Sequence, residues 1–301
     1  MVQNSNFVIF ARAWYPPGNI LNKASSPKED TIKSQKLETS SNQVSAAPGS
    51  VLASKLSASC PPQFDFSKLE TFFPCARSRV RPQLWYILAT AALLAFHQVP
   101  LIGELWRYLC QQRLSEKEQL AAVRQIREAC LKSSVLVGFP RAINGLATLK
   151  KSIDTHSPHL ASFLASDTSL RASVTPQEQY SRGKAFFTHL YAQHTDHILA
   201  SMAATSGGDL DHFAISSIYG ELLAETSIIG AQDTVLLELV CCLADGVAPQ
   251  TKGHFYGSKN FGASNEIIKG AVLLTANVAG QLGISCEWQG EEYRFLDKVM
   301  A

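Results

Sequence analysis

A long uncharged stretch in the first third of the chain restricts the fold more than any other sequence feature. Residues 82–103 include no Asp, Glu, Lys or Arg, and residues 84–96 are almost wholly apolar. A transmembrane helix needs about 20 apolar residues, so a membrane span competes here with a buried helix. His97, Gln98 and Pro100 interrupt the run after about four helical turns. We therefore expect two helices, over residues 83–97 and 100–112, in a protein that does not span a membrane.

The low charge of the chain means that much apolar surface must be buried. Hydrophobic residues make up 46% and charged residues 17% of the 301 residues, whereas roughly 25% charged residues is usual. A compact core or a subunit interface would cover this surface, so we expect a homo-oligomer. The net charge of +2 gives no indication of a nucleic-acid partner.

The cysteines indicate a reducing compartment. They are scattered, odd in number and form no CxxC pair, which argues against a disulfide scaffold. We expect an intracellular location, cytoplasmic or mitochondrial. Residues 1–62 are largely polar and rich in Ser and Lys, which predicts a disordered tail, with a targeting segment as the alternative.

Capping signals predict an all-α fold. Ser115 and Thr175 each open a capping box with a glutamate three residues later, and Ser264 is placed to cap a long last helix. Pro249 is placed to open a helix, and Asp233 to cap the one before it. No stretch shows the alternation typical of strands. We expect an N-terminal helical part over residues 63–152 and a second domain over residues 175–284.

The order of motifs in the second half resembles the carboxymuconolactone decarboxylase and alkylhydroperoxidase D-like family. Residues 179–184, Gln-Tyr-Ser-Arg-Gly-Lys, are similar to the Arg-Gly opening of that domain. Residues 219–222, Tyr-Gly-Glu-Leu, are similar to its aromatic-Gly-acidic element, and residues 254–268 give the strongest match, with a His, a glycine turn and a capped helix. The resemblance covers about residues 175–284, and residues 82–150 look like the N-terminal part of longer relatives.

The resemblance implies a helical hairpin fold assembled into trimers or hexamers, and it favours the decarboxylase branch. The peroxidase branch places two cysteines before the His, where this chain has Val247 and Gln250. Cys241 and Cys242 lie at a different offset and point to different helix faces, so a thiol peroxidase is not expected. The implied enzyme is a lyase that needs no metal or organic cofactor.

Candidate site residues follow from the chemistry of proton transfer. We expect His254 to act as acid or base, with Glu221 or Glu238 as its partner, because both glutamates lie on apolar helices. Tyr219 and Lys252 are candidates for binding a carboxylate substrate. Each candidate also has a structural alternative. His254 would be bonded within the hairpin, and each glutamate would be exposed or paired at an interface. Tyr219 would be a core residue and Lys252 a solvated one.

Two hypotheses for function remain open at this point. The first is a small-molecule enzyme that acts on a carboxylated lactone or oxoacid by general acid–base chemistry. The alternative is a non-catalytic oligomeric helical scaffold that has lost the chemistry of the family. His194 and His197 have helical spacing, but they lack a compelling third ligand, so no metal site is expected.

Overall fold

A computed structural model describes residues 64–73, 83–286, 288 and 290–300 of the chain. The predicted tail over residues 1–62 lies outside these residues. Helices account for the regular structure, and the described residues include no strand, which confirms the all-α fold class. The α-helices are α1 Ser67–Glu70, α2 Leu84–Ala95, α3 Pro100–Gln111, α4 Glu116–Val137, α5 Phe139–His156, α6 Ala161–Ala165, α7 Pro176–Tyr191, α8 Thr195–Ser206, α9 Asp209–Phe213, α10 Ala231–Ala244, α11 Ala248–Asn260, α12 Asn265–Gln281 and α13 Asp297–Met300. A π-helix spans Ala214–Leu223, and 3-10 helices span Pro158–Leu160, Ala192–His194 and Glu291–Leu296.

Helix α2 forms the centre of the core. All of its residues are buried, and it packs against α4, α10 and α12. Because other helices enclose α2, it needs no polar face, which explains the apolar run in its sequence. The two helices predicted on either side of His97 are present, with α3 beginning at Pro100 as expected. Across the part of the chain that the structure describes, no helix is both long and apolar enough to cross a membrane.

Local capping determines where several helices begin. The Ser115 and Thr175 side chains each accept a hydrogen bond from the backbone of the glutamate three residues later, and both capping boxes are complete. Ser264 caps α12 through the backbone N–H of Ile267. The prediction that Asp233 caps the helix before Pro249 was wrong. That helix, α10, begins at Ala231 after an extended Gly230, which places Asp233 inside the first turn.

Helix α7 and the π-helix cross in close contact at two glycines, Gly183 and Gly220. Residues 209–223 form the short α9 and then the π-helix. A side chain at Gly183 would overlap the carbonyl oxygen of Ile215, and one at Gly220 would overlap that of Gln179. The Arg-Gly and Tyr-Gly motifs therefore allow two backbones to touch, which only glycine permits.

The helices that carry the candidate residues belong to one compact unit, Phe64–Ala301. Because α2 packs against α10 and α12, the N-terminal helical part contributes to the same core as the second half. The predicted domain boundary over residues 152–174 contains the end of α5, a 3-10 helix and α6. A smaller apolar cluster between α7, the π-helix and α10 comprises Phe186, Phe187, Leu190, Ala214, Ile215, Tyr219, Leu223 and Val235.

Candidate functional site

The antiparallel pair α10 and α11 brings Glu238 and His254 together. Helix α10 ends at Ala244, Gly246 turns the chain with a positive φ of 72°, and α11 begins at Ala248 with Pro249 in its first turn. His254 Nδ1 lies 3.7 Å from Glu238 Oε2. Both residues come from the middle of packed helices, so their separation is held by rigid elements. We call these two residues the Glu–His pair.

Burial makes the Glu–His pair electrically neutral near pH 7. Glu238 is 0% exposed and His254 is 3% exposed. Desolvation raises the pKa of Glu238 to about 8, although the positive charge of Lys132 opposes that shift. Desolvation lowers the pKa of His254 to about 4. At neutral pH the carboxyl therefore keeps its proton and the imidazole lacks its second one.

Three polar atoms of the pair have no hydrogen-bond partner in the described part of the chain. They are both carboxyl oxygens of Glu238 and His254 Nδ1. A buried polar group left unsatisfied costs about 1–3 kcal/mol. Native proteins satisfy most such groups, and unsatisfied groups call for a reason such as catalysis or a bound molecule. The pair therefore holds a buried proton donor and a buried acceptor that make no hydrogen bond to another side chain or to the backbone.

Two tyrosines and a cysteine surround the Glu–His pair. The ring centroids of Tyr191 and His254 are 6.4 Å apart. The Tyr191 and Tyr219 hydroxyls interact, and burial raises the pKa of both, with a smaller contribution from the charge of Glu238 when it is ionised. Cys242 is 4% exposed, and burial raises the pKa of its thiol. The cluster is thus rich in groups that hold their protons at neutral pH.

Lys132 is a fully buried cation beside the cluster. Its Nζ donates to the carbonyl oxygens of Leu223 at 3.0 Å and Glu225 at 2.6 Å. It also donates to Thr234 Oγ1 at 2.7 Å, one turn before Glu238 on α10. Desolvation lowers the pKa of Lys132 to about 8, although Glu128 opposes this shift. Lys132 therefore joins α4 to the start of α10 and to the end of the π-helix.

Two arginines complete the capping of the π-helix. Arg182 donates to the carbonyl oxygens of Gly220 and Glu221. Arg171 donates to those of Glu221 and Leu222, and it pairs with Glu128 at 2.5 Å. Cations are favourable at a helix C-terminus, where the last carbonyls lack partners. The end of the π-helix is therefore held by side chains from three other segments.

Not all of the predicted site residues lie in this cluster. Glu238, His254 and Tyr219 are brought together, but Glu221 is exposed on the π-helix and does not take part. Lys252 lies on α11 and is partly exposed, and residues two apart on a helix point to different faces, so Lys252 does not accompany His254.

The residues missed from the sequence are Lys132 and Tyr191. Lys132 stands between Leu131 and Ser133 on a long helix, and a lone lysine at such a position is usually solvated, so nothing in the sequence indicated that it would be buried. Tyr191 follows Phe187 at helical spacing, a pattern that is equally typical of a core aromatic.

Within the described part of the chain, Cys241 lacks the properties of a thiol that reacts with peroxide. Cys241 is 1% exposed, its Sγ lies 3.7 Å from Ser133 Oγ, and burial raises the pKa of its thiol to about 12. Thiolate chemistry needs an accessible group with a lowered pKa. Among the described residues there is also no group of three or more His, Cys, Asp or Glu side chains that could hold a metal ion.

Comparison with known proteins gives two related sequences. The chain is 32% identical to Peroxisomal protein 2 of Schizosaccharomyces pombe over 160 residues. This alignment covers 53% of this chain and 71% of that protein. It is 30% identical to Peroxisomal protein 2 of Saccharomyces cerevisiae over 192 residues. That alignment covers 58% of this chain and 67% of the relative. No family model matches the chain, and no solved structure matches it.

Proposed function

The chain belongs to the family of the yeast proteins named Peroxisomal protein 2, and from this premise we propose that it is a peroxisomal enzyme that transfers protons to and from a small molecule. The name of the relatives favours the peroxisome, an intracellular compartment, over the cytoplasm or the mitochondrion that the sequence suggested. The observation that carries the enzymatic proposal is the Glu–His pair, in which a protonated carboxyl and a neutral imidazole lie 3.7 Å apart.

The chemistry we propose is that of the carboxymuconolactone decarboxylase-like group that the sequence resembles. The substrate is a small carboxylated lactone or a related oxoacid. When the carbon–carbon bond to the carboxylate breaks, carbon dioxide leaves and the electron pair remains on a conjugated carbonyl system. A proton then adds to carbon. Such a reaction needs a positioned proton donor and acceptor, and it requires no metal or organic cofactor.

The pKa shifts suggest how the two residues divide this work. Glu238, with a pKa of about 8, holds a proton at neutral pH and is suited to donate it to the substrate carbon. His254, with a pKa of about 4, is neutral and is suited to accept a proton or a hydrogen bond. Tyr219 adds a hydroxyl that could orient a carboxylate. Lys252 and Glu221, which we expected to bind substrate and to act in catalysis, have no role in this proposal because they lie outside the cluster.

One observation favours the alternative of a non-catalytic helical scaffold. His254 is only 3% exposed, so a substrate reaches it only if a neighbouring side chain moves. A structural histidine would be covered in the same way. Against this alternative stand the unsatisfied atoms of Glu238 and His254, since a histidine kept for structure is expected to make hydrogen bonds.

Substitution of the pair separates the two functions. We would screen the purified protein against carboxylated lactones and organic hydroperoxides, measuring carbon dioxide release and peroxide loss. His254→Gln and Glu238→Gln should each lower turnover about a hundredfold or more, the usual contribution of general acid–base catalysis. Glu221→Gln is the matched control, because it removes an exposed carboxyl. Loss of folding in His254→Gln with unchanged specific activity of the folded fraction would assign His254 a structural role.

We also propose that the chain forms a homo-oligomer, as a trimer or hexamer. Large apolar side chains at the junction of α4 and α5 support this, with Phe139 64% and Ile143 50% exposed. Covering such a patch is a common reason for subunit association. Light scattering after size-exclusion chromatography should give a multiple of the chain mass. Phe139→Glu should lower that mass, whereas Tyr180→Ser, at another exposed aromatic, should not. A monomeric parent protein would contradict the proposal.

A further inference from the structure

Tyr191 lies beside His254 of the Glu–His pair and is partly exposed to solvent. It is the last residue of α7, and the chain then turns at Ala192, whose φ is 49°. Glu238, His254 and Tyr219 are buried, whereas Tyr191 remains partly exposed. Because its ring lies next to that of His254, Tyr191 belongs both to the cluster and to the surface.

The packing around Tyr191 leaves room for its ring on one side. The ring centroids of Tyr191 and Phe187 are 4.5 Å apart on α7. On the facing helix α11, a Cβ added to Gly253 would lie 3.2 Å from Tyr191 Cε1. A contact this short means that even a Cβ at position 253 would require the Tyr191 ring to shift by a few tenths of an ångström. The absence of a side chain at Gly253 therefore creates the space that Tyr191 fills.

The hydroxyl of Tyr191 lies against α11, 3.8 Å from the position that a Cβ would take at Gly253. It interacts with the Tyr219 hydroxyl, and desolvation raises the pKa of Tyr191. The inner end of the side chain thus contacts the polar cluster, while the residue as a whole keeps some exposure. Tyr191 is thus partly exposed although its ring lies next to that of His254, which distinguishes it from the fully buried residues of the cluster.

We propose that Tyr191 is an access and specificity-determining residue, whose ring closes the route from solvent to Glu238 and His254. Rotation of one side chain at the end of a helix is a smaller movement than displacement of α10 or α11, both of which are packed into the core. The size of a molecule that reaches the pair is set by the space beside Gly253 that the Tyr191 ring vacates when it rotates. The purpose of this route rests on the proposed function, but the closure itself does not.

Chemical labelling of His254 tests the closure without any substrate. Diethyl pyrocarbonate acylates a neutral, accessible imidazole, and mass spectrometry of peptides gives the rate at His254 relative to the exposed His212 of the same chain. Tyr191→Ala should raise the relative rate at least about tenfold, because the ring no longer covers His254. Tyr191→Phe should label like the parent protein, since it keeps the ring.

Two further variants separate an opening from general loosening. Phe187→Ala removes a neighbouring aromatic that is 2% exposed, so it loosens packing without opening the route. Gly253→Leu added to Tyr191→Ala should lower the labelling rate again by refilling the space. The proposal is overturned if Tyr191→Ala changes the rate less than about twofold, if Phe187→Ala raises it equally, or if the leucine gives no protection. These outcomes are independent of turnover, so they leave the proton-transfer proposal to its own test.

Discussion

Replacing Glu238 by Gln should remove part of the pH dependence of stability. The carboxyl has a pKa of about 8 in the folded protein, against an ordinary value of 4.5. Between these values the folded state keeps a proton that the unfolded state has released. The free energy of unfolding therefore falls as pH rises, by up to about 1.4 kcal/mol per pH unit. Glutamine resembles the protonated acid and carries no such dependence.

The magnitude follows from the two pKa values. From pH 5 to pH 7.5 the Glu238 contribution to stability should fall by about 3 kcal/mol. His254 acts in the opposite direction, because its pKa is lowered from 6.5 to about 4, so stability rises with pH in that interval. That effect is common to both proteins and cancels in their difference. Glu238→Gln should thus gain about 3 kcal/mol relative to the parent between these pH values.

Urea unfolding at pH 5 and pH 7.5 measures this difference directly. Both values lie below the pKa of Lys132, which is about 8. Glu221→Gln is the control for removal of an exposed carboxyl. A difference between Glu238→Gln and the parent that stays constant from pH 5 to pH 7.5 would refute the reasoning, because it would mean that Glu238 is ionised in the folded protein.

Three further substitutions test the packing around the site. Lys132→Met should lower the free energy of unfolding by about 3–5 kcal/mol, because it leaves buried acceptors unpaired, and an unchanged urea midpoint would argue against this role. Gly183→Ala should lower the free energy of unfolding by about 1–3 kcal/mol, because the added methyl group overlaps Ile215. The control is Gly280→Ala, whose methyl group meets no atom within 4 Å and which should be neutral or stabilising. Equal melting temperatures of the two variants would contradict the close contact between α7 and the π-helix. Ser115→Ala should lower the free energy of unfolding by about 1 kcal/mol, because it removes the side chain that caps α4. An unchanged free energy of unfolding would show that this cap is redundant.

The sequence by itself determined the features that depend on near neighbours. The capping boxes at Ser115 and Thr175 and the cap at Ser264 were readable because each involves residues only three apart. The burial of α2 was readable because an uncharged helix needs cover on all sides. The Asp233 cap failed, since the preceding Gly230 took the extended conformation and the helix began earlier.

Only the tertiary structure decided the composition and the charge state of the candidate site. Glu221 and Glu238 both lie on apolar helices, yet packing exposes one and buries the other. The protonation of Glu238 depends on its burial and on Lys132, a residue more than a hundred positions away. A pKa is set by the dielectric environment and by nearby charges, and both arise from helices that are distant in the chain. The contact of Tyr191 with Gly253 also joins two helices that are distant in the chain, so no local sequence pattern predicted it.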